Sequence, residues 1–160
     1  MALQDGVVFD RESLKVHGLV DLGKFTDDQD KHKRGDHGLV AMAQPFRGDW
    51  VQAVAAFLGA GAVKGETLHH IAIELIVLLE RAGFKVDAIV TDGATWNRAM
   101  WDFFGVSKGK HSCVHPVDPH RQLRMISDFP HLVKNLWARL CNKKYLLVSK
   151  AKAKQVLSYQ

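Results

Sequence analysis

Residues Val86–Met100 read VDAIVTDGATWNRAM. Val86, Ala88, Ile89 and Val90 make a short apolar run of the kind that fills an interior parallel strand. The run ends in a carboxylate, Asp92, and then Gly93. From Thr95, a residue suited to capping, Trp96, Met100, Phe103 and Phe104 recur at helical spacing until Gly105 stops the pattern. Strand, carboxylate, glycine, helix is the grammar of a βα unit. Ligands of α/β sheets gather beyond the carboxyl ends of the strands, which puts Asp92 in a functional place. The same position also suits an Asp that caps the following helix or closes an Asx turn, and position alone does not separate these readings.

Working outward, GETLHHIAIELIVLLERAG places Leu68, Ile71, Ala72, Leu75, Leu78, Leu79 and Ala82 at steps of three and four, which predicts a helix with one buried stripe, stopped by Gly83. Downstream, QLRMIS predicts another strand. DFPHLVKNLWARL then opens a helix with Pro130 in its first turn and Leu132, Leu136 and Leu140 in register. Before the first helix, GVVFD and LKVHGLVDLG predict a hairpin over Val7–Leu22, and HGLVAMAQPF and DWVQAVAAFLGAGAV predict a second one across the turn RGD. Between the hairpins, Lys24–His37 has one aromatic and no aliphatic residue, the composition of a mobile loop or an excursion that buries no core. The expected class is α/β: a mixed sheet in which antiparallel hairpins lead into parallel βα units, with helices on its faces.

At 160 residues and 47% hydrophobic content the chain suits one domain with a true core. No apolar run reaches the ~20 residues a membrane span needs, and MALQDGVVFD lacks the regions of a signal peptide, so a soluble intracellular protein without a membrane partner is expected. Cys113 and Cys141 are too few for a disulfide framework. A net charge of +5 favours an anionic partner without identifying it.

Taken in order, GVVFD…VHGLVDLG, HGLVAMAQPFRGDWVQAVAAFL, IVTDGATWNRAMWDFFG and SDFPHLVKNLWARL resemble the RNase H-like catalytic domain of P-element-type transposases, including the THAP-domain transposases. The resemblance implies a DDE-type DNA transposase, in which three acidic residues hold Mg²⁺ or Mn²⁺ for DNA cleavage and strand transfer. Asp92 falls on the second acidic position, as catalytic residue and metal ligand. It further implies a nuclear protein that binds transposon ends and target DNA and self-associates, and that binds GTP through an inserted domain. On this reading residues 1–141 are the RNase H-like domain and 142–160 a linker or the start of the inserted domain. The family's first acid belongs to an Asp-Glu-Met strand motif whose methionine aligns with Met1, and its third lies beyond the insertion. The first strand is therefore expected to be truncated, and the chain inactive by itself. Asp5, Asp10 and Asp21 fit turns or strand ends of the first hairpin better than they fit replacements. The alternative is a domesticated, non-catalytic module of the same fold that binds DNA or another protein.

At the last helix, Asp128 and Lys134 are candidates for nucleotide contact, against a capping Asp and a solvated Lys. Trp137 and Ala138 depart from the Arg-Asn of the family, and no GxxxxGK[ST] loop is present. Lys143, Lys144, Lys150 and Lys152 are candidates for DNA phosphates, or else a solvated face. His111, Cys113, His115 and His120 invite zinc but lack paired ligand spacing. Trp50, Trp96, Trp101 and Trp137 are expected in the core.

Overall fold

The computed structural model describes residues 6, 8–10, 15–142, 145–146 and 157–158. Its strands are β1 (Val8–Asp10), β2 (Lys15–His17), β3 (His37–Ala43), β4 (Gln52–Gly59), β5 (Ala88–Thr91), β6 (Ser112–Val114), β7 (Gln122–Ser127), β8 (Tyr145–Leu146) and β9 (Leu157–Ser158). The helices are α1 (Gly65–Arg81), α2 (Thr95–Phe103) and α3 (Phe129–Asn142). Both expected hairpins form, β1 with β2 and β3 with β4, each antiparallel, the second with an irregularity at Ala41/Met42. β5 runs parallel to β7, as the βα pattern requires. Single bridges, Leu19 with Arg34 and Asp21 with Leu58, fasten the chain after the first hairpin to the loop and to β4.

The structure departs from expectation in the connection after α2. Ser112–Val114 form a strand, β6, antiparallel to β7, so β7 is the middle strand of the order β5-β7-β6. Among the described residues β5 has β7 as its only ladder partner, so Asp92 follows an edge strand of this sheet and not an interior one. Three residues are too short for alternation to reveal a strand, and the surrounding histidines hid it.

The core lies on one face of this sheet. Leu123 and Met125 of β7 pack with Leu68 and Ile76 of α1, Met100 of α2, and Phe104 and Val106 just past it. A smaller cluster, Val20, Leu22 and Ile71, takes in Phe25 and Phe57 at its edge. The stripe of α1 is therefore shifted from the one expected: Ile76 is buried and Leu78 is 52% exposed. Phe25 also corrects the reading of Lys24–His37. Its 3-10 turn at Gly23–Phe25 seats one aromatic on the core, and the Lys24–Glu74 and Lys64–Asp27 ion pairs fasten the loop to α1 and to the residue before it. Helices α1 and α2 both stop at glycines in the left-handed region, Gly83 (φ 90°) and Gly105 (φ 68°). Their paired closing bonds, Phe84 N–H to Leu79 O and Val106 N–H to Trp101 O, make the same C-terminal motif twice.

Among the described residues, the other face of this sheet is exposed. Val90 and Ile126, partners across the parallel pair, are both exposed, with Arg124 and Gln122 beside them on β7. Helix α3 buries no residue: Leu132, Leu136 and Trp137 face solvent despite their helical spacing. Of the tryptophans expected inside, Trp50, Trp96 and Trp137 are exposed, and Trp101 alone packs partly against the core.

Candidate functional site

Asp92 is the first residue past β5, and the parallel register brings the end of β7 alongside it. Thr91 pairs with Ser127, and the Asp128 N–H donates to Thr91 O at 2.8 Å. Two carboxylate residues thus follow the carboxyl ends of two adjacent parallel strands. The sheet fixes the backbone of Asp92, and the next helix fixes its side chain. Asp92 Oδ1 accepts the Ala94 N–H at 3.0 Å and the Asn97 Nδ2–H at 2.6 Å. No donor among the described residues reaches Oδ2. The Asx turn weighed in the sequence is therefore real, yet it uses one oxygen and leaves the other available.

The first turns of α2 also hold the loop. Arg98 donates from Nε at 3.0 Å and from Nη2 at 2.8 Å to Gly93 O, a fork closing on one carbonyl. Thr95 is the first helical residue and Ala94 occupies the cap position without a side-chain cap bond, so the capping role expected of Thr95 is not filled; Asp92 instead holds the N–H of the cap residue. Asn97 and Arg98 were not singled out as site residues, because a bond from residue i to i+5 around a turn follows no short periodicity. Gly93 has an ordinary backbone, and a Cβ there would meet only Arg98 Nη2, at 3.8 Å.

The other candidates scatter. Asp128 adjoins the Asp92 strand end, while Lys134 lies exposed along α3, and no ion pair joins the two among the described residues. Lys143, Lys144, Lys150 and Lys152 lie outside the described residues, as do Asp5 and most of the 142–160 segment. Asp21 accepts the Gly23 N–H at 2.8 Å, the turn role anticipated for it, and Asp10 pairs with Lys15 in the first hairpin.

Nor do the four zinc candidates converge: no three His, Cys, Asp or Glu residues gather to hold a metal among the described residues. His115 is buried, its Nδ1 accepting the Val117 and Asp118 N–H groups, both at 3.2 Å, and its Nε2 lying 3.4 Å from Glu80 Oε1. His115 is a structural fastener. Burial pushes the Cys113 thiol above its ordinary value, the reverse of what a thiolate ligand needs.

A sheet-held carboxylate at the carboxyl edge of a parallel pair is a common site of α/β folds, and the comparisons with known proteins say which fold this is. The Drosophila P element transposase strand transfer complex matches with a TM-score of 0.71 at 23% identity, over 99% of this chain and 30% of that one. Residues 1–105 match the family of TNP-like RNase H N-terminal domains. The Transposable element P transposase of Drosophila melanogaster is 31% identical over 103 residues, which are 64% of this chain and 13% of that protein. The chain belongs to this family: it is an RNase H-like domain of the P-element transposase type, spanning a minor part of the relatives it matches. No helix among its described residues is long and apolar enough to cross a membrane.

Proposed function

We propose that the chain carries the second carboxylate of a DDE-type DNA transposase, with Asp92 as ligand to a divalent metal ion at the site of DNA cleavage and strand transfer. The observation behind this is the divided carboxylate: Oδ1 is held by two donors, and no donor among the described residues reaches Oδ2. An oxygen donor of this kind fits a hard cation such as Mg²⁺ or Mn²⁺. Asp92 fills only part of such a shell, and other carboxylates, waters and DNA phosphate oxygens are the natural complement. When bound, such ions activate the attacking water or 3′-hydroxyl and stabilise the leaving oxygen. The work of this chain is to place one carboxylate oxygen at the sheet edge and keep it from turning. DNA is the substrate, and the nucleus is where the protein meets it. GTP contact and self-association belong to the longer protein on this reading, with Asp128 and Lys134 as the nucleotide-facing candidates.

A non-catalytic module of the same fold is the second reading, and what favours it is that the Ala94 and Asn97 bonds also account for Asp92 as a turn residue. One assay separates the two. Drosophila P transposase carrying residues 1–160 in place of its matching segment should cleave transposon-end DNA in Mg²⁺. Asp92→Asn should reduce cleavage to background with DNA affinity kept, since it removes charge and little volume. Full cleavage by the Asn variant rules out the metal role.

A further inference from the structure

We propose that Asn97 is a positioning residue for Asp92, selecting which carboxylate oxygen is presented; the inference rests on the metal-ligand reading above. A carboxylate on a strand end can rotate about its last bond, and one donor, the Ala94 N–H, restrains it at a single point. The Asn97 Nδ2–H, arriving from the first turn of α2 at 2.6 Å, adds a second donor to the same oxygen. Together they fix the carboxyl group through Oδ1, and no donor among the described residues takes up Oδ2.

The chemical type of the donor matters. A neutral amide orients the carboxylate while leaving its negative charge for the cation. A guanidinium in that place would compensate the charge and compete with the metal. Arg98, one residue on, is so placed that both its Nε and its Nη2 close on Gly93 O. The helix turn thus directs its amide to the carboxylate and its cation to the neighbouring carbonyl. Partners that orient a metal ligand are typically worth 10–100-fold in affinity.

The test is NMR on the 160-residue chain with Mg²⁺, which shifts signals, and Mn²⁺, which broadens them. In the unmodified chain, Mg²⁺ should move the Asn97 side-chain amide signals together with the Gly93 and Ala94 backbone amides. Asn97→Ala should weaken the Mn²⁺ broadening at Gly93 and Ala94 by about tenfold, with a melting temperature within ~3 °C of the unmodified chain. Wild-type Mn²⁺ affinity in Asn97→Ala overturns the proposal. So does a Mg²⁺ shift at Gly93 and Ala94 that leaves the Asn97 amide unmoved, a readout that stands even where the variant fails to fold. Asp92→Asn is the separate control: if the cation response survives it, the metal-ligand reading itself falls. If Asp92→Asn abolishes the response and Asn97→Ala preserves it, only the role of Asn97 is lost.

Discussion

Glu80 shows how single side chains tie together the elements behind the site. At the end of α1, its Oε1 accepts the Val86 N–H at 2.7 Å and Arg121 Nη1 at 2.9 Å, and its Oε2 accepts the same guanidinium nitrogen at 3.0 Å. Arg121 reaches on to Asp87 Oδ1 at 2.9 Å. One carboxylate thereby joins α1 to Val86, just before β5, and to Arg121, the residue that precedes β7. Burial alone would raise the Glu80 pKa. The Val86 N–H, the Arg121 hydrogen bond and charge, and His115 outweigh it and hold the carboxyl below its ordinary value. A folded-state pKa below the unfolded one stabilises the protein above the ordinary glutamate value of 4.5, and that contribution is lost as pH falls from there through the folded value. Glu80→Gln should therefore cost about 2 kcal/mol near neutrality, the range of charge-assisted hydrogen bonds. Its stability curve should approach that of the unmodified chain on acidification below about pH 4. Urea titrations at neutral and acidic pH measure both. Parallel curves would remove Glu80 from the account.

At the scale of elements, the positioning of α2, and so of Asn97 and Arg98, depends on a close crossing with α1. A Cβ on Gly65 would lie 2.6 Å from Ala99 Cβ, 2.8 Å from Ala99 C and 2.9 Å from Met100 N. Two of these are backbone atoms, which cannot step aside as a side-chain tip can. Gly65→Ala should push the helices apart at a cost of about 1–3 kcal/mol. Gly93→Ala, with 3.8 Å of room and an ordinary backbone, should stay within about 0.5 kcal/mol. Denaturant midpoints decide, and equal effects at the two glycines would contradict the packing argument. Gly65 also marks a limit of the sequence, since its role depends on Ala99, 34 positions away on another helix. The long elements were legible: α1, β3 and β4, β7 and the strand-to-helix turn at Asp92 follow from periodicity and stop residues. β6 was not, and the inward face of α1 was misjudged at Leu78 and Ile76 because an almost wholly apolar helix offers several stripes. In α3 the pattern at Leu132 and Leu136 foretold the helix correctly, but periodicity cannot say whether an apolar face is covered.

On the scale of the molecule, the sheet of β5, β6 and β7 is covered on one side among the described residues. Leu123 and Met125 point into a core built with α1 and α2, while Val90 and Ile126 on the opposite sheet face, and Leu136 and Trp137 on α3, face solvent. Parallel strands are ordinarily buried on both faces. The candidate site lies where these features meet, at the carboxyl edge of β5 and β7, just before α3 begins. Which segments of the fold belong together was carried by the four ordered blocks of the sequence, and the family match over residues 1–105 takes in the first three of them. The free oxygen of Asp92 was not legible, because it depends on two donors that converge only once α2 has formed. That oxygen is also the central claim, and crystals of the chain soaked in Mn²⁺ test it most directly through anomalous scattering. The account predicts an anomalous peak in bonding contact with Asp92 Oδ2, at about 2.1 Å as for small hard cations on carboxylates, with Oδ1 still on Ala94 N and Asn97 Nδ2. Mn²⁺ bound elsewhere with Asp92 bare, or bound through Oδ1 after displacement of Asn97, would contradict it.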